Sequence, residues 1–426
     1  MALVGCRSDQ RISDTPTSRP IAPSLVPSTP TPEPPSTSTA TPGSRGSIVV
    51  WLDWRPASLT VLERVVESFL ALNPSVSLAV AYFPSEELRS RFESAATQGV
   101  GPTILIAPSS WGPELLAEGL VRDVSARITS DLRDDLHPLA RSQVEFNGQV
   151  LGLPLGLEGV VLFRNRTLLS QPIKTVDEWV ATAQSLAAAG GSRTGLDLAF
   201  LNSTSQLAVC DGALVGDEGR PGFATQAGLC WLDLLTQLAR VGPPTFHSED
   251  DLLLFEDQQS PWLIDLAEHA DRLSNALGDE SLAIDAWPTY TPTARPLVGY
   301  VWTENLYFTA SSRSNDFDAS WAFATYLLSP EVQVPWGENP EARNLPVRAD
   351  VAIEEPWLQE ILSALSTGVP LPLIVGLEEF VEPLEREIQA AVVRGADPGF
   401  ALQRAAAEID RQLVAQSTPP TAVPTP

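Results

Sequence analysis

Apolar runs of strand length alternate with helical segments between residues 47 and 108. Ile48–Leu52 is a continuous apolar run rich in β-branched residues, and the apolar residues from Leu62 to Phe69 recur at helical spacing until Asn73-Pro74 ends the helix. Ser77–Tyr82 and Thr103–Ala107 repeat the strand pattern on either side of a second predicted helix. This alternation predicts right-handed βαβ units, and therefore an α/β fold with a mostly parallel sheet flanked by helices.

Polar and aromatic side chains follow two of these predicted strands. Asp53, Trp54 and Arg55 come directly after the first strand, and Ser110 and Trp111 follow the third. Ligands of open α/β sheets bind beyond the carboxyl ends of the strands, so these five residues are candidate ligand contacts. Simpler roles remain open, because an aspartate there also suits a turn and the tryptophans can pack at the edge of a cleft.

The N-terminus predicts a membrane tether. Leu3-Val4-Gly5-Cys6 matches a lipobox, in which Cys6 would carry the lipid anchor, but only five residues precede it. Either the chain begins inside a longer leader or the match is chance. Ser13–Gly46 is rich in Ser, Thr and Pro, a composition that stays extended and can act as a linker. The Thr/Pro-rich end, residues 417–426, is expected to be a disordered tail.

Two cysteines remain in the body of the chain. In an exported protein, Cys210 and Cys230 can form a disulfide, and closing a loop of this length stabilises by about 3 kcal/mol in the chain-entropy model. The alternative is a pair of buried free thiols. The net charge of −26 argues against a nucleic-acid partner, because phosphates would be repelled.

Short motifs recur in a fixed order along the body. They are FLALNPSV at Phe69–Val76, GVGPT at Gly99–Thr103, LAEGLVRDV at Leu116–Val124, the long segment Gly148–Glu178, Ser314–Gln333, and LPVRAD at Leu345–Asp350. In this order they resemble the family 1 extracellular solute-binding proteins, the maltodextrin-binding type that serves ABC importers. Two departures stand out: Thr103 replaces an aspartate, and Phe255–Ala267 replaces a Gly-rich segment.

The resemblance implies a two-lobe periplasmic-binding-protein fold of type II, with three crossings between the lobes. The N-terminal lobe would comprise residues 47–155 and 303–328, and the C-terminal lobe residues 160–297 and 333–413, after a lipobox and tether at residues 1–46. A solute would lie between the lobes and be trapped by hinge closure.

The resemblance and the strand pattern add five candidate contacts. Glu158 lies in the first crossing segment, and Trp302 lies on the strand that returns toward the first lobe. Asn202 follows a predicted strand at Leu198–Leu201, Asp265 occupies the position of the replaced binding loop, with Glu268 or Trp262 as candidate side chains, and Phe380 stands where relatives place an aromatic residue. A hinge salt bridge or core packing is the simpler interpretation of these residues.

The implied function is that of a lipid-anchored, monomeric receptor on the extracellular face of the membrane. It would capture a solute, with an oligosaccharide as the first candidate, and deliver it to the transmembrane subunits of an ABC permease. No catalysis, cofactor or metal is expected. His137, His247 and His269 lack the spacing that would let them bind a metal from one helix face. The alternatives are a secreted glycoside hydrolase that uses Asp53 and Glu158, or a sensor for a polyamine, peptide or polyol.

Overall fold

Three parallel strands form the start of the main sheet in this computed structural model, which describes residues 45–54, 56–190, 196–216, 219–247, 249–339 and 344–417. Strand β1 (Gly46–Leu52) pairs with β2 (Val76–Tyr82) on one side and β3 (Ile104–Pro108) on the other. Helix α1 (Pro56–Leu72) connects β1 to β2, and α2 (Ser85–Thr97) connects β2 to β3. The predicted βαβ units are confirmed.

Two longer strands join this parallel part to the rest of the sheet. They are β6 (Leu153–Asn165) and β13 (Tyr300–Phe308), which run antiparallel to each other, and β13 is also antiparallel to β3. Strand β6 then continues past β13 and pairs antiparallel with β9 (Trp262–Leu266) and β10 (Leu282–Asp285). The sheet order is β10-β6-β13-β3-β1-β2, with β9 on β6 and β14 (Val369–Pro370) on β13.

The remaining strands are two-residue pairs. They are β4 (Glu145–Phe146), β5 (Gln149–Val150), β7 (Leu196–Asp197), β8 (Pro244–Thr245), β11 (Thr289–Tyr290) and β12 (Arg295–Pro296). The other helices cover both faces of the sheet. They are α3 (Gly112–Ala117), α4 (Ser130–Asp135), α5 (Pro138–Ser142), α6 (Val176–Ala188), α7 (Phe200–Thr204), α8 (Gln226–Leu238), α9 (Asp250–Glu256), α10 (Ala270–Leu277), α11 (Ser314–Leu327), α12 (Pro330–Gly337), α13 (Pro356–Ser366), α14 (Glu378–Ile388) and α15 (Pro398–Ser417).

Helix α6 begins where its sequence predicts. The Thr175 hydroxyl accepts a hydrogen bond from the Glu178 backbone N–H at 3.1 Å, so Thr175 is the N-cap. The Glu178 carboxylate reaches back one residue further than a standard capping box and accepts from the Lys174 N–H at 2.9 Å. The two bonds satisfy backbone donors that the first turn would otherwise leave unpaired.

One predicted strand is wrong. Leu198–Leu201 was expected to extend as a strand, whereas β7 ends at Asp197 and α7 begins at Phe200. The Asp197 carboxylate accepts a hydrogen bond from the Ala199 N–H at 2.7 Å, which turns the chain at this point. The predicted strand that carries Trp302 is confirmed as β13, which begins at Tyr300.

Three clusters of buried apolar side chains form the interior. The first core packs β1 and α1 against α11, around Phe69 and Phe323. The second core contains Trp231 and Phe380, and the third core lies under α2 around Phe92. Strand β6 supplies Leu157 to the first core and Leu162 to the second, so it is buried on both faces and ties the two together.

The predicted lobe boundaries stay predictions, and the cores show how the chain packs across them. Trp336, Leu345 and Ile361 lie within 333–413 but join the first core with Ile48. Phe380 joins the second core. None of the described helices combines the length and the apolar character that a membrane span requires.

Candidate functional site

A cavity of about 520 Å³ opens where β6 and β13, here called the crossing strands, pass the ends of other strands. Asp53 follows β1, Pro108 ends β3 and Leu266 ends β9, so three strand termini meet the middle of β6 and β13 there. The polar lining side chains are Asp53, Ser58, Ser85, Glu158, Glu268, His269, Asp271, Thr303, Glu304 and Asn344. The aromatic lining side chains are Trp54, Trp302 and Trp336. The volume is that of a small-molecule site.

The pairing of β6 with β13 places three lining side chains on one face. Trp302 lies directly opposite Glu158, and Glu304 lies opposite Gly156. Directly opposed residues of antiparallel strands share a face, as do residues two apart along one strand. Glu158, Trp302 and Glu304 therefore project together into the cavity.

Gly156 leaves the space that Asn344 occupies. A Cβ atom on Gly156 would stand 1.9 Å from the Asn344 Oδ1. Asn344 donates through Nδ2 to the Leu155 carbonyl at 3.1 Å, which holds its side chain over the crossing strand. The glycine is thus needed for close approach, and it lets an amide side chain line the cavity beside Glu304.

Trp54 connects the end of β1 to the crossing strands. Its indole N–H donates to both carboxylate oxygens of Glu304 at 2.6 Å, and its ring meets Trp336 edge-on with the centroids 5.2 Å apart. Trp336 is 2% exposed, and its own indole N–H has no hydrogen-bond partner among the described residues. The cavity lining therefore includes two aromatic residues in contact and a carboxyl group bound by an indole N–H.

Burial raises the pKa of both crossing-strand carboxyl groups. Desolvation is the main cause of the rise in the pKa of Glu158 to about 8, with repulsion from Glu268 and Glu304 added to it. The Glu158 carboxylate accepts from the Gly159 N–H at 2.9 Å, which opposes the rise. Desolvation also raises the pKa of Glu304 to about 8, with repulsion from Asp53 and Glu268. Each group can hold a proton at neutral pH and then donate a hydrogen bond as well as accept one.

This arrangement predicts a stability that falls as pH rises between about 4.5 and about 8. In that interval the folded state keeps protons on Glu158 and Glu304 that the unfolded state releases. Each added pH unit therefore lowers the free energy of unfolding. The slope is up to about 1.4 kcal/mol per pH unit for each group. Urea unfolding at several pH values will measure it, and Glu304→Gln should flatten the slope. An unchanged slope in that variant would contradict the prediction.

Asp265 does not line the cavity but holds a residue that does. Its carboxylate lies 2.7 Å from the His269 Nδ1 and accepts from the Leu266 N–H at 2.8 Å. The hydrogen bond with Asp265 is the main cause of the raised pKa of His269. The structure therefore assigns Asp265 a supporting position and brings Glu268 and His269 to the cavity instead.

Five of the sequence-predicted candidates meet at the cavity, namely Asp53, Trp54, Glu158, Glu268 and Trp302. Trp262, the alternative to Glu268, is buried in the second core. Arg55 and Cys6 lie outside the described residues. Sequence reasoning did not single out Glu304, Trp336 and Asn344. Only Glu304 carried a usable signal, because it lies two residues after Trp302 on the same predicted strand.

Ser110 and Trp111 lie in a 3₁₀ turn beside the cavity lining rather than in it. The Arg89 guanidinium lies 5.5 Å from the Trp111 ring centroid and forms ion pairs with Glu114 and Glu378. The Glu114 carboxylate also accepts from the Gly376 N–H at 2.9 Å. Trp111 thus flanks a polar bridge between the third core and the segment that leads into α14.

Phe380 and Asn202 have structural surroundings in the described chain. Phe380 is 0% exposed in the second core, so its ring does not reach the cavity. Asn202 lies in α7 and donates through Nδ2 to the Asp197 carbonyl at 3.2 Å. Neither residue lines the cavity. The strand predicted before Asn202 is replaced by a turn and α7, and the aromatic residue that the family resemblance placed at Phe380 packs inward.

Cys210 and Cys230 are joined in a disulfide with their Cα atoms 5.9 Å apart. The bond fastens the 3₁₀ segment Ser205–Cys210 to α8, at the side of the second core. It lies away from the cavity lining, so its part is in holding the fold. The described residues contain no group of three or more His, Cys, Asp and Glu side chains arranged to hold a metal ion.

An α/β sheet with two long crossing strands and a ligand-sized cavity at their middle is the architecture of a solute-binding protein. The chain belongs to the bacterial extracellular solute-binding protein family, whose sequence profile matches residues 64–361. The resemblance drawn from the order of short motifs is confirmed.

One sequence relative matches part of the chain. The maltotriose-binding protein of Pyrococcus abyssi (strain GE5 / Orsay) is 30% identical over 133 residues, which is 31% of this chain and 29% of that protein. The match therefore spans less than a third of that curated relative.

Solved structures resemble the whole body of the chain. The maltose/maltodextrin-binding domain MalE from Bdellovibrio bacteriovorus, bound to maltotriose, superposes with a TM-score of 0.71 at 20% identity, covering 86% of this chain and 100% of that one. The cyclic alpha-maltosyl-1,6-maltose binding protein from Arthrobacter globiformis gives 0.74 at 19% identity, covering 87% and 99%. The predicted type II binding-protein fold is confirmed.

Proposed function

We propose that this chain is the substrate-binding receptor of an ABC importer and that its ligand is an oligosaccharide. The observation that carries the proposal is the composition of the cavity. Trp54, Trp302 and Trp336 supply aromatic surface, while Glu158, Glu304 and Asn344 supply hydrogen-bonding groups. Sugars present apolar ring faces edged with hydroxyl groups, and this combination suits them. The Pyrococcus and Bdellovibrio relatives, named for binding maltotriose and maltodextrins, support the same class of ligand.

Capture, not chemistry, is the proposed mechanism. Two lobes would close about β6 and β13, and the closed form would dock on a permease. A micromolar dissociation constant corresponds to about −8 kcal/mol, which a closed site with a few stacked rings and buried hydrogen bonds can supply. We propose that the receptor is a monomer at the outer face of the membrane, held there by a lipid on Cys6, and has no enzymatic activity.

Replacing Trp302 by alanine is expected to weaken oligosaccharide binding about 10- to 100-fold, equivalent to about 1.4–2.8 kcal/mol. The half-buried ring lies beside Glu158 on the cavity face, and its loss removes stacking surface. Titration calorimetry with maltotriose, cellotriose and chitotriose will measure the change. Trp111→Ala is the matched control, because that ring stacks on Arg89 outside the lining.

The outcomes separate the parts of the proposal. Equal weakening by both substitutions would place the ligand elsewhere. Absence of binding to every sugar would remove the carbohydrate assignment. Product formation during long incubation with these oligosaccharides, lost in Asp53→Asn, would show an enzyme instead of a receptor.

A further inference from the structure

The segment 371–378, which leads from β14 into α14, runs along the boundary between two of the cores. Leu371 and Leu377 pack in the second core, whereas Leu373 packs against the third core. The segment therefore joins a part of the molecule that contains α2 and α3, here called the third-core side, to a part that contains α14 and α15, here called the second-core side.

The polar contacts along this segment change from buried to exposed. At its start, Gln143, which is 1% exposed, donates through Nε2 to the Leu371 carbonyl at 3.0 Å. At its end, Glu378 forms an ion pair with Arg89 of α2 at 2.6 Å, and the Glu378 side chain is 72% exposed. A buried hydrogen bond is costly to leave unmade, whereas an exposed ion pair contributes little and separates readily. The start of the segment is therefore fixed, and its end is free to separate from α2.

The Arg89 guanidinium is held on the third-core side independently of Glu378. Its Nε donates to Glu93 at 2.8 Å, it also pairs with Glu114 of α3, and its Nη1 donates to Glu378. A planar guanidinium fixed by two partners loses little freedom when it binds a third. Arg89 thus presents a positioned positive charge to the start of α14.

This ion pair lies beside the cavity. Ser85 lines the cavity and precedes Arg89 on α2 by four residues, about one helical turn. On the second-core side, Leu266 also lines the cavity. Separation of α14 from α2 would therefore widen the gap between two sides that both supply lining residues.

We propose that Arg89 and Glu378 form an electrostatic latch between the two sides, with the buried Gln143–Leu371 contact as its fixed end. The closed latch favours the arrangement seen here, in which both sides line one cavity, and the open latch widens the entrance for a ligand. The inference goes beyond the proposed function, because it concerns the motion of the ligand-free chain. Only its consequence for affinity rests on that function.

Pulsed electron–electron double resonance on the full-length, ligand-free protein measures the separation of the two sides. Spin labels are attached to Ser94→Cys of α2 and Ala407→Cys of α15, which are exposed positions. Cys6→Ser leaves no other reactive thiol, because the two remaining cysteines are joined in a disulfide. The distance distribution then gives the ratio of latched to open molecules.

Two substitutions break the latch to different extents. Glu378→Gln is expected to lower the ratio of latched to open molecules about two- to fivefold, the range for an exposed ion pair. Arg89→Gln should lower the ratio further, because Glu378 then faces Glu93 and Glu114 without the cation between them. The two effects should not add in the double variant, since both substitutions remove the same interaction.

Two controls separate the latch from a general effect of charge. Glu87→Gln removes a carboxylate from a partly exposed ion pair with Arg91 within α2, so it should leave the ratio unchanged. Raising the salt from about 0.01 M to about 1 M shortens the screening length from about 30 Å to about 3 Å and should open the latch of the parent protein. The same change should have little effect on Glu378→Gln.

Calorimetry with maltotriose extends the test to ligand capture. Glu378→Gln should weaken binding in proportion to the fall in the latched fraction, because the open form does not present the complete lining. Glu87→Gln should bind as the parent does.

The results distinguish failure of the latch from failure of the proposed function. Unchanged or shorter separations in both Glu378→Gln and Arg89→Gln overturn the latch and leave the receptor function standing. An equal shift in Glu87→Gln overturns it as well. Longer separations with full maltotriose affinity overturn the role of the latch in capture. Longer separations in a protein that binds no sugar support the latch and remove the carbohydrate assignment.

Discussion

Replacing Asp285 by alanine is expected to lower the free energy of unfolding by about 3–5 kcal/mol. Asp285 on β10 pairs with Arg164 on β6 through two hydrogen bonds of 2.7 and 3.0 Å, and the side chains are 6% and 7% exposed. Arg164 also donates to the Leu169 carbonyl at 2.8 Å. Without Asp285, the guanidinium would remain buried without its counter-charge. Urea unfolding followed by circular dichroism will measure the loss.

Two further variants show whether burial is the cause. The double replacement Arg164→Met with Asp285→Leu removes both charges and keeps much of the volume, so it should recover most of the loss. Glu256→Ala breaks an ion pair with Arg272 of similar geometry at the surface and should cost no more than about 1 kcal/mol. If the double variant is as unstable as Asp285→Ala, the ion pair contributes more to the stability of the fold than the cancellation of its two buried charges.

The secondary structure near the start of the described chain was predictable because its signals are local. Alternating burial of Ile48, Val50 and Leu52 marks β1, and Asn73 caps α1 by donating to the Phe69 carbonyl at 3.0 Å. Both features can be seen within a few residues of sequence. The prediction for Leu198–Leu201 was wrong because it also used only a local signal, an apolar run that resembles a strand. The turn at Asp197 and the packing of Phe200 favour a helix instead.

The candidate site was predictable only in part. Strand ends pointed to Asp53 and Trp54, and the crossing segments pointed to Glu158 and Trp302. Trp336 reaches the cavity through its edge-on contact with Trp54, a residue 282 positions earlier in the chain. Contacts over such distances depend on how the layers pack, which short motifs do not encode.

The displaced candidates have physical reasons as well. Trp111 follows β3 as expected, but the chain enters a 3₁₀ turn there and the ring stacks on Arg89. Phe380 has its place in the second core because α14 turns its apolar face inward against α15. An aromatic residue can serve a core or a ligand equally well, so residue type alone did not distinguish them.

Replacing Trp231 by alanine is expected to cost about 3–5 kcal/mol, the range seen when large aromatic residues are removed from cores. Trp231 on α8 is 0% exposed in the second core, and its indole N–H donates to the Ser203 carbonyl at 2.8 Å. The substitution therefore removes the packing of a whole indole and also a buried hydrogen bond between α8 and α7. Denaturant unfolding will give the size of the change.

Leu229→Ala provides the matched control on the same helix. Leu229 is 37% exposed, so its truncation should cost less than about 1 kcal/mol. Trp231→Phe keeps most of the ring volume and loses the donor, and it should fall between the two. The Cys210–Cys230 disulfide ends one residue before Trp231, so the measurement is made with the bond intact. If Leu229→Ala cost as much as Trp231→Ala, α8 would be held by its helical structure rather than by the core beneath it. The expected order of the three stability losses would show that packing in the second core stabilises the C-terminal end of β6.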